Sequence, residues 1–322
     1  MRPPIDATSD DQHTHSLPDS YLQYEHRRYG MDHDRYEWSM LVKRKPVEWP
    51  NKARIALWVV PALEFFPLDT PVKPFKAQGG MVTPYPDLRH FTLREFGSRV
   101  GVFRVFEALD KRNIKATVAF NSEVARRYPF LMEEVTRRGW EVMAHGVDMA
   151  RLHYSGLDEA KEKAQVRESL STLREMSGQP VRGWLSPARS ESFATPDLVA
   201  AEGVEYMCDW INDDMPYPFH TKSGDVIAMP HQHWISDATI LFFYKQSGAE
   251  FVEQVKDQFD ALYAEAGEQG GRVMALTIHP WMSGQAHRIG FLEEALDYLV
   301  SKSDVWSATG SEIMDAWKAQ QE

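Results

Sequence analysis

Short, continuous apolar runs alternate with longer stretches of helical spacing from residue 54 to the C-terminus. Runs at 54–60, 114–120, 141–144, 181–186, 204–208, 225–229, 272–278 and 304–307 read as strands, the first ending at Pro61. A further strand or hairpin is expected at 239–243. Helices are expected between them. The one at 100–113 carries Val102, Phe103, Phe106 and Leu109 on one stripe. Residues 122–138 follow, with Ser122 as N-cap and Pro129 opening a second segment. Further helices are read at 158–176, stopped by Gly178, and at 195–203, 249–266, 289–301 and 310–320. A Pro/Gly-rich loop fills 66–97, and loops of that length in a compact domain usually cover a site.

Strand–helix units repeated about seven or eight times imply a parallel sheet, and their number suits an irregular α/β (β/α) barrel. A doubly wound open sheet is the alternative, but no G-x-G-x-x-G follows any strand. Residues 51–322 form this domain, and residues 1–50 an extended N-terminal arm. Residues 1–15 of the arm are polar and read as mobile. The aromatic stretch 29–49 has too many rings to leave in water, so it should clamp onto the domain or onto a neighbouring subunit.

In a barrel of this kind, chemistry gathers where the strands finish. Those positions hold Glu64, Asn121, His145, Pro187 to Arg189, Asp209 to Asp214, His231, His233 and His279. One carboxylate and two histidines suffice for a general base, a general acid and support of an oxyanion. Only one of His231 and His233 is expected to face the site. Arg189 reads either as a binding group for a carboxylate or imide oxygen, or as a surface ion pair. Asp213 and Asp214 read as a turn before Pro216 or as site-lining groups. Trp184, Trp210, Trp234 and Trp281 read as core, or as rings that stack on a substrate.

Composition narrows the partners. The 322 residues carry a formal net charge of −11, which argues against nucleic acid and anionic membranes. Hydrophobic residues make up 43%, enough for a large core. The single cysteine, Cys208, excludes a disulfide framework and a thiolate zinc cluster. With no apolar signal segment and no run near the ~20 residues of a membrane span, a cytoplasmic protein is expected.

Several short motifs occur in order on the expected elements. They are Trp49-Pro50-Asn51-x-Ala53-Arg54-Ile55-Ala56, Glu141-Val-x-Ala-His145-Gly146, Gly183-Trp184-Leu-Ser-Pro187, Asn212-Asp-Asp-Met-Pro-Tyr217 and Thr277-Ile-His279-Pro. From Trp49 onward the chain resembles the polysaccharide deacetylase (NodB-homology) superfamily, most closely its allantoinase-like and cyclic-imide-hydrolase-like branch. The resemblance implies a deformed (β/α) barrel and hydrolysis of a non-peptide carbon–nitrogen bond. It casts Glu64 as the base, His145 as a site histidine and His279 as the general acid. Pro187, Arg189, Trp210, Asp213, Asp214 and Trp281 become the expected substrate contacts.

The departures from the family pattern bear on the metal. Where the family has Asp-Asp after the first strand, this chain has Glu64-Phe65, and where it has His-x-x-x-His it has His145 and Met149. Two of three ligand positions therefore hold side chains unsuited to zinc. The expectation is an enzyme without cofactor that opens a cyclic amide, imide or ureide and forms a dimer or tetramer. One alternative is a metal-dependent sugar N-deacetylase, holding a divalent ion such as zinc at His145 with Glu64 and His279. In that case Asp148 or His153 could also serve as ligands. Another alternative is a non-catalytic ligand-binding homologue.

Overall fold

The structure is a computed structural model and describes residues 33–68 and 88–321. The readings made for residues 1–15, for Tyr29 and for the loop residues Phe75, Met81 and Tyr85 lie outside the described residues.

Among the described residues a single curled sheet holds nine strands. These are β1 (Ile55–Leu63), β2 (Thr117–Phe120), β3 (Glu141–Ala144), β4 (Gly183–Trp184), β5 (Tyr206–Met207), β6 (Tyr217–Phe219), β7 (Val226–Ala228), β8 (Arg272–Ile278) and β9 (Val305–Ser307). The order is β6-β7-β5-β4-β3-β2-β1-β8, with β9 beside the amino half of β1. Every pairing is parallel except β6 with β7. A lone parallel bridge between Ser236 and Thr277 joins the segment after β7 to β8, across the gap between the ends of the sheet. Helices on the outside complete an irregular (β/α) barrel, as the alternating pattern implies.

β1 does not end at Pro61. It stays in register with β8 through Pro61 opposite Ile278, while its ladder with β2 is broken between the Val59–Ala116 bridge and Ala62–Ala119. The nitrogen that cannot donate falls in that break, so the strand runs on to Leu63.

The strands have two faces. Ala56, Trp58, Val60 and Ala62 point into the barrel with Ala119, Met143, Tyr206, Cys208, Met229, Val273 and Ala275. Ile55, Leu57, Val59 and Leu63 point outward, onto the helices. Glu141 accepts bonds from Thr117, Tyr206 and Ser311 at the amino ends of β2 and β3, closing that end with a satisfied polar cluster.

Two longer stretches also differ from the sequence reading. Part of the expected 66–97 loop is helical. α1 (Leu88–Phe96) passes through a π-turn at Gly97–Gly101 into α2 (Val102–Asp110). Residues Ala238–Phe243 form a second π-turn, not a strand. Asp237 accepts the Ala238 N–H at its start, and Ser236 accepts from Thr239, so capping overrides the β-branched and aromatic composition. A short helix, Pro280–Ser283, follows β8. Gly97 and Gly101 lie against it so closely that a Cβ on either would overlap the backbone of Trp281 or Pro280.

The described arm, from residue 33, lies on the barrel. Arg35 is buried, paired with both Asp197 oxygens and donating to the carbonyls of Phe193 and His220. Trp49 is buried with its indole N–H on Arg272 O. Trp38 and Val42 remain 73% and 85% exposed. No helix of the described residues is long and apolar enough to cross a membrane.

Candidate active site

The strand alternation carries over into the loops. Glu64 continues the inward series of β1, Asn121 that of β2, His145 that of β3, and Thr277 and His279 that of β8. A cavity of about 250 Å³ opens at this end, lined among others by Glu64, Arg94, His145, Arg189, His231 and His279. Asn121 pins two strand ends together. Its Oδ1 accepts from Phe65 N at 2.8 Å, and its side-chain amide donates to the His145 carbonyl.

Glu64 stands between two imidazoles. Its Oε1 is 3.7 Å from His145 Nε2 and 3.8 Å from His279 Nε2. Burial disfavours its charge, yet His279, His145 and Arg94 together hold its pKa below the ordinary carboxylate value. His145 Nδ1 donates to Leu185 O at 2.8 Å, because a carbonyl can only accept, and this leaves Nε2 facing Glu64.

His279 Nδ1 lies 2.6 Å from Asp237 Oδ1. Asp237 is buried, and its other oxygen accepts from His279 N and Ser283 Oγ. Burial opposes the imidazolium, but Asp237 and then Glu64 outweigh it and raise the His279 pKa above the ordinary value. His231 is the opposite case. Burial, with Arg189 beside it, pushes its pKa well down. Neutral His231 accepts from Arg189 Nη2 at Nδ1 (2.6 Å) and bonds Thr277 Oγ1 through Nε2 (2.9 Å).

Among the expected substrate contacts, Arg189 and Trp281 line the cavity with the three candidate catalytic residues. Arg189 is no surface ion pair. It is held by Cys208 O and His231, on a turn where it and Ala188 have φ of 52° and 55°. Four others lie elsewhere. Pro187 packs behind the site against Gly146. Trp210 packs among His33, Tyr36 and Phe219 and donates to Glu191. Asp213 accepts two 2.6 Å bonds from Arg44, and Asp214 accepts from Gln232 at 2.8 Å.

His231 and His233 both line the cavity, against the expectation of one, because residues two apart on an extended chain share a face. Trp184 is core and Trp234 is exposed. The sequence reading passed over Arg94 and Asp237, because one lay in the supposed loop and the other preceded the supposed strand. Gly97-x-x-x-Gly101 and Ser236-Asp237 were the available signals of close helix approach and of a helix start.

The donor set does not fit a three-ligand zinc site. Phe65 and Met149 stand at two ligand positions, and the Arg127 guanidinium sits 4.2 Å over the Phe65 ring. Asp148 is committed to Ala150 N, Arg151 N and the Arg151 side chain. His153 is buried 3.3 Å from Glu162. No group of three His, Cys, Asp or Glu suited to a metal occurs among the described residues.

Residues 96–207 match the family model for polysaccharide deacetylase. That segment runs from the end of α1 through β5 and is similar to a polysaccharide deacetylase domain. A putative polysaccharide deacetylase of Schizosaccharomyces pombe is 24% identical over 86% of this chain and 95% of its own length. Two solved structures, each 27% identical over 88% of this chain, superpose closely. One is Puue allantoinase (TM-score 0.79, 98% of that chain). The other is a probable polysaccharide deacetylase from Pseudomonas aeruginosa PAO1 (TM-score 0.77, 99% of that chain). Hydrolysis of a carbon–nitrogen bond is the kind of reaction these similarities support.

Proposed function

We propose that the chain opens a cyclic amide, imide or ureide by hydrolysis, without a metal cofactor. The observation that carries this reading is the Glu64 carboxylate set between His145 and His279 in the cavity, 3.7 and 3.8 Å from their Nε2 atoms. Similarity to an allantoinase at 27% identity supports a ureide-type ring. A water on Glu64 attacks the ring carbonyl carbon and gives its proton to the carboxylate. His145 Nε2 faces the same space and, when protonated, supports the oxyanion. The C–N bond breaks as His279, charged through Asp237, protonates the leaving nitrogen. Strained or electron-poor rings need less electrophilic help than an acetamide, which makes Phe65 and Met149 tolerable where ligands would stand.

Alanine-free replacement Glu64→Gln keeps the shape and removes the base. A panel of hydantoin, succinimide and ureide rings should be turned over by the pure protein, and this change should lower turnover about 1,000-fold. Chelator should leave the rate unchanged, and elemental analysis should find no stoichiometric metal. No turnover on the panel would sink the ring reading. Chelator-sensitive release of acetate from N-acetylated sugars would favour the metal-dependent deacetylase instead. Ligands recovered unchanged would favour a binding protein. The proposal extends to a cytoplasmic homo-oligomer, for which the lone reduced Cys208 and the exposed Trp38 and Val42 speak.

A further inference from the structure

Arg94 is a guanidinium of the cavity wall with no direct part in the proposed reaction, although its charge helps to hold down the Glu64 pKa. It projects from α1 and is 8% exposed, and its Nε and Nη1 are buried with no hydrogen-bond partner. Among the described residues no carboxylate lies within ion-pairing distance of it. The Trp281, Phe66 and Phe242 ring centres stand 3.8, 4.6 and 5.9 Å from its central carbon. At 3.8 Å an aromatic ring closes a face of the guanidinium, so the donors that remain lie in its plane.

A buried charge with open donors is expensive unless something completes it. Arg189, the other guanidinium of the cavity, is already engaged with Cys208 O and His231. Arg94 is not, although the close approach of Gly97 and Gly101 to Pro280–Ser283 fixes it against Trp281. No described residue completes it, and the cavity it lines leaves that place to a ligand. A planar anion approaching in the guanidinium plane, a carboxylate, has the matching charge and geometry.

We infer that Arg94 binds a carboxylate on the substrate, remote from the scissile carbonyl. The substrate class is therefore an acidic ring, or an acidic amide, rather than a neutral one. This rests on the reading of the cavity as the site, and it adds the part of the substrate that Glu64 does not touch.

Calorimetric titration of succinate and of its neutral counterpart, succinamide, tests the inference without turnover. Both the unaltered protein and Glu64→Gln should bind succinate about tenfold or more tighter than succinamide. Arg94→Gln should abolish that preference, and Arg94→Lys should restore part of it, because it returns the charge without the plane. Equal affinities, no succinate binding in the millimolar range, or a preference that survives in folded Arg94→Gln would each overturn the inference. If Arg94→Gln does not fold, the succinate-to-succinamide ratio in Glu64→Gln decides. The binding ratio is independent of catalysis, so failure of the ring panel leaves it standing. Loss of the ratio with ring turnover intact removes only the acidic substrate class.

Discussion

Asp237 touches neither the cavity water nor any reacting atom in the proposed scheme, yet it determines the charge of a residue that does. His279 is raised against the pull of burial because Asp237 sits 2.6 Å from Nδ1. A raised imidazole does its work as an acid below its folded pKa and loses it as pH rises through that value. Glu64 is lowered, so it works as a base above its folded pKa and loses this as pH falls through it. The rate should form a plateau wider than two ordinary groups would give, extended on both sides. Asp237→Asn should move the alkaline limb to lower pH and cut neutral-pH turnover about 100-fold. A pH–rate profile reads this, and an alkaline limb that stays in place would leave Asp237 with a purely structural role. The same linkage means the pair stabilises the fold fully below the unfolded imidazole pKa and ceases to do so above the folded one.

The elements show what was legible in the chain and what was not. Apolar runs identified β1, β3 and β8 because buried parallel strands leave long unbroken stretches, and their ends named Glu64, His145 and His279. β6 was missed, because Tyr217–Phe219 holds a proline and only three residues. The π-turn at Ala238–Phe243 was hidden because its Thr, Ile and Phe residues favour strands locally, and only the cap from Asp237 tips the balance. Trp210, Asp213 and Asp214 were drawn toward the site by their place after β5. The loop instead turns outward, the arm takes up Trp210 and Asp213 through Tyr36 and Arg44, and Asp214 bonds Gln232. A contact with a segment so distant in sequence has no local signature. The turn after β3 is different, since its glycine is required. Gly146 has φ +67°, and a Cβ there would stand 2.4 Å from Pro187 Cγ. Gly146→Ala should therefore push the Pro187–Arg189 turn away and destabilise the fold by about 2 kcal/mol, measurable by urea unfolding. A change below a few tenths of that would mean the turn yields freely.

At the scale of the molecule the described arm is the part suited to the proposed assembly. Arg35, Arg44 and Trp49 fasten it down, while Trp38 and Val42 stay in solvent. Apolar side chains held outward by buried anchors are suited to meeting a second copy, and a closed dimer or tetramer is the default assembly. Light scattering should give a mass of two or four chains for the whole protein. A chain beginning at Arg54 should be smaller or poorly soluble. A monomer, or a shortened chain unchanged in both respects, would refute this. The pairing of β1 also governs how the protein is born. Ile55–Leu57 lies opposite Arg272–Met274 on one side and Val305–Ser307 on the other. The ribosome makes β1 early and its neighbour β2 soon after, but its partners β8 and β9 almost last. Through most of synthesis the amino half of this apolar strand waits without its two neighbours, a demand for chaperone protection and a cause of slow, non-local folding. Glu64, one residue beyond that strand, meets His279 only when β8 has been made, so a half-made chain holds Glu64 and His145 without the third residue of the candidate site.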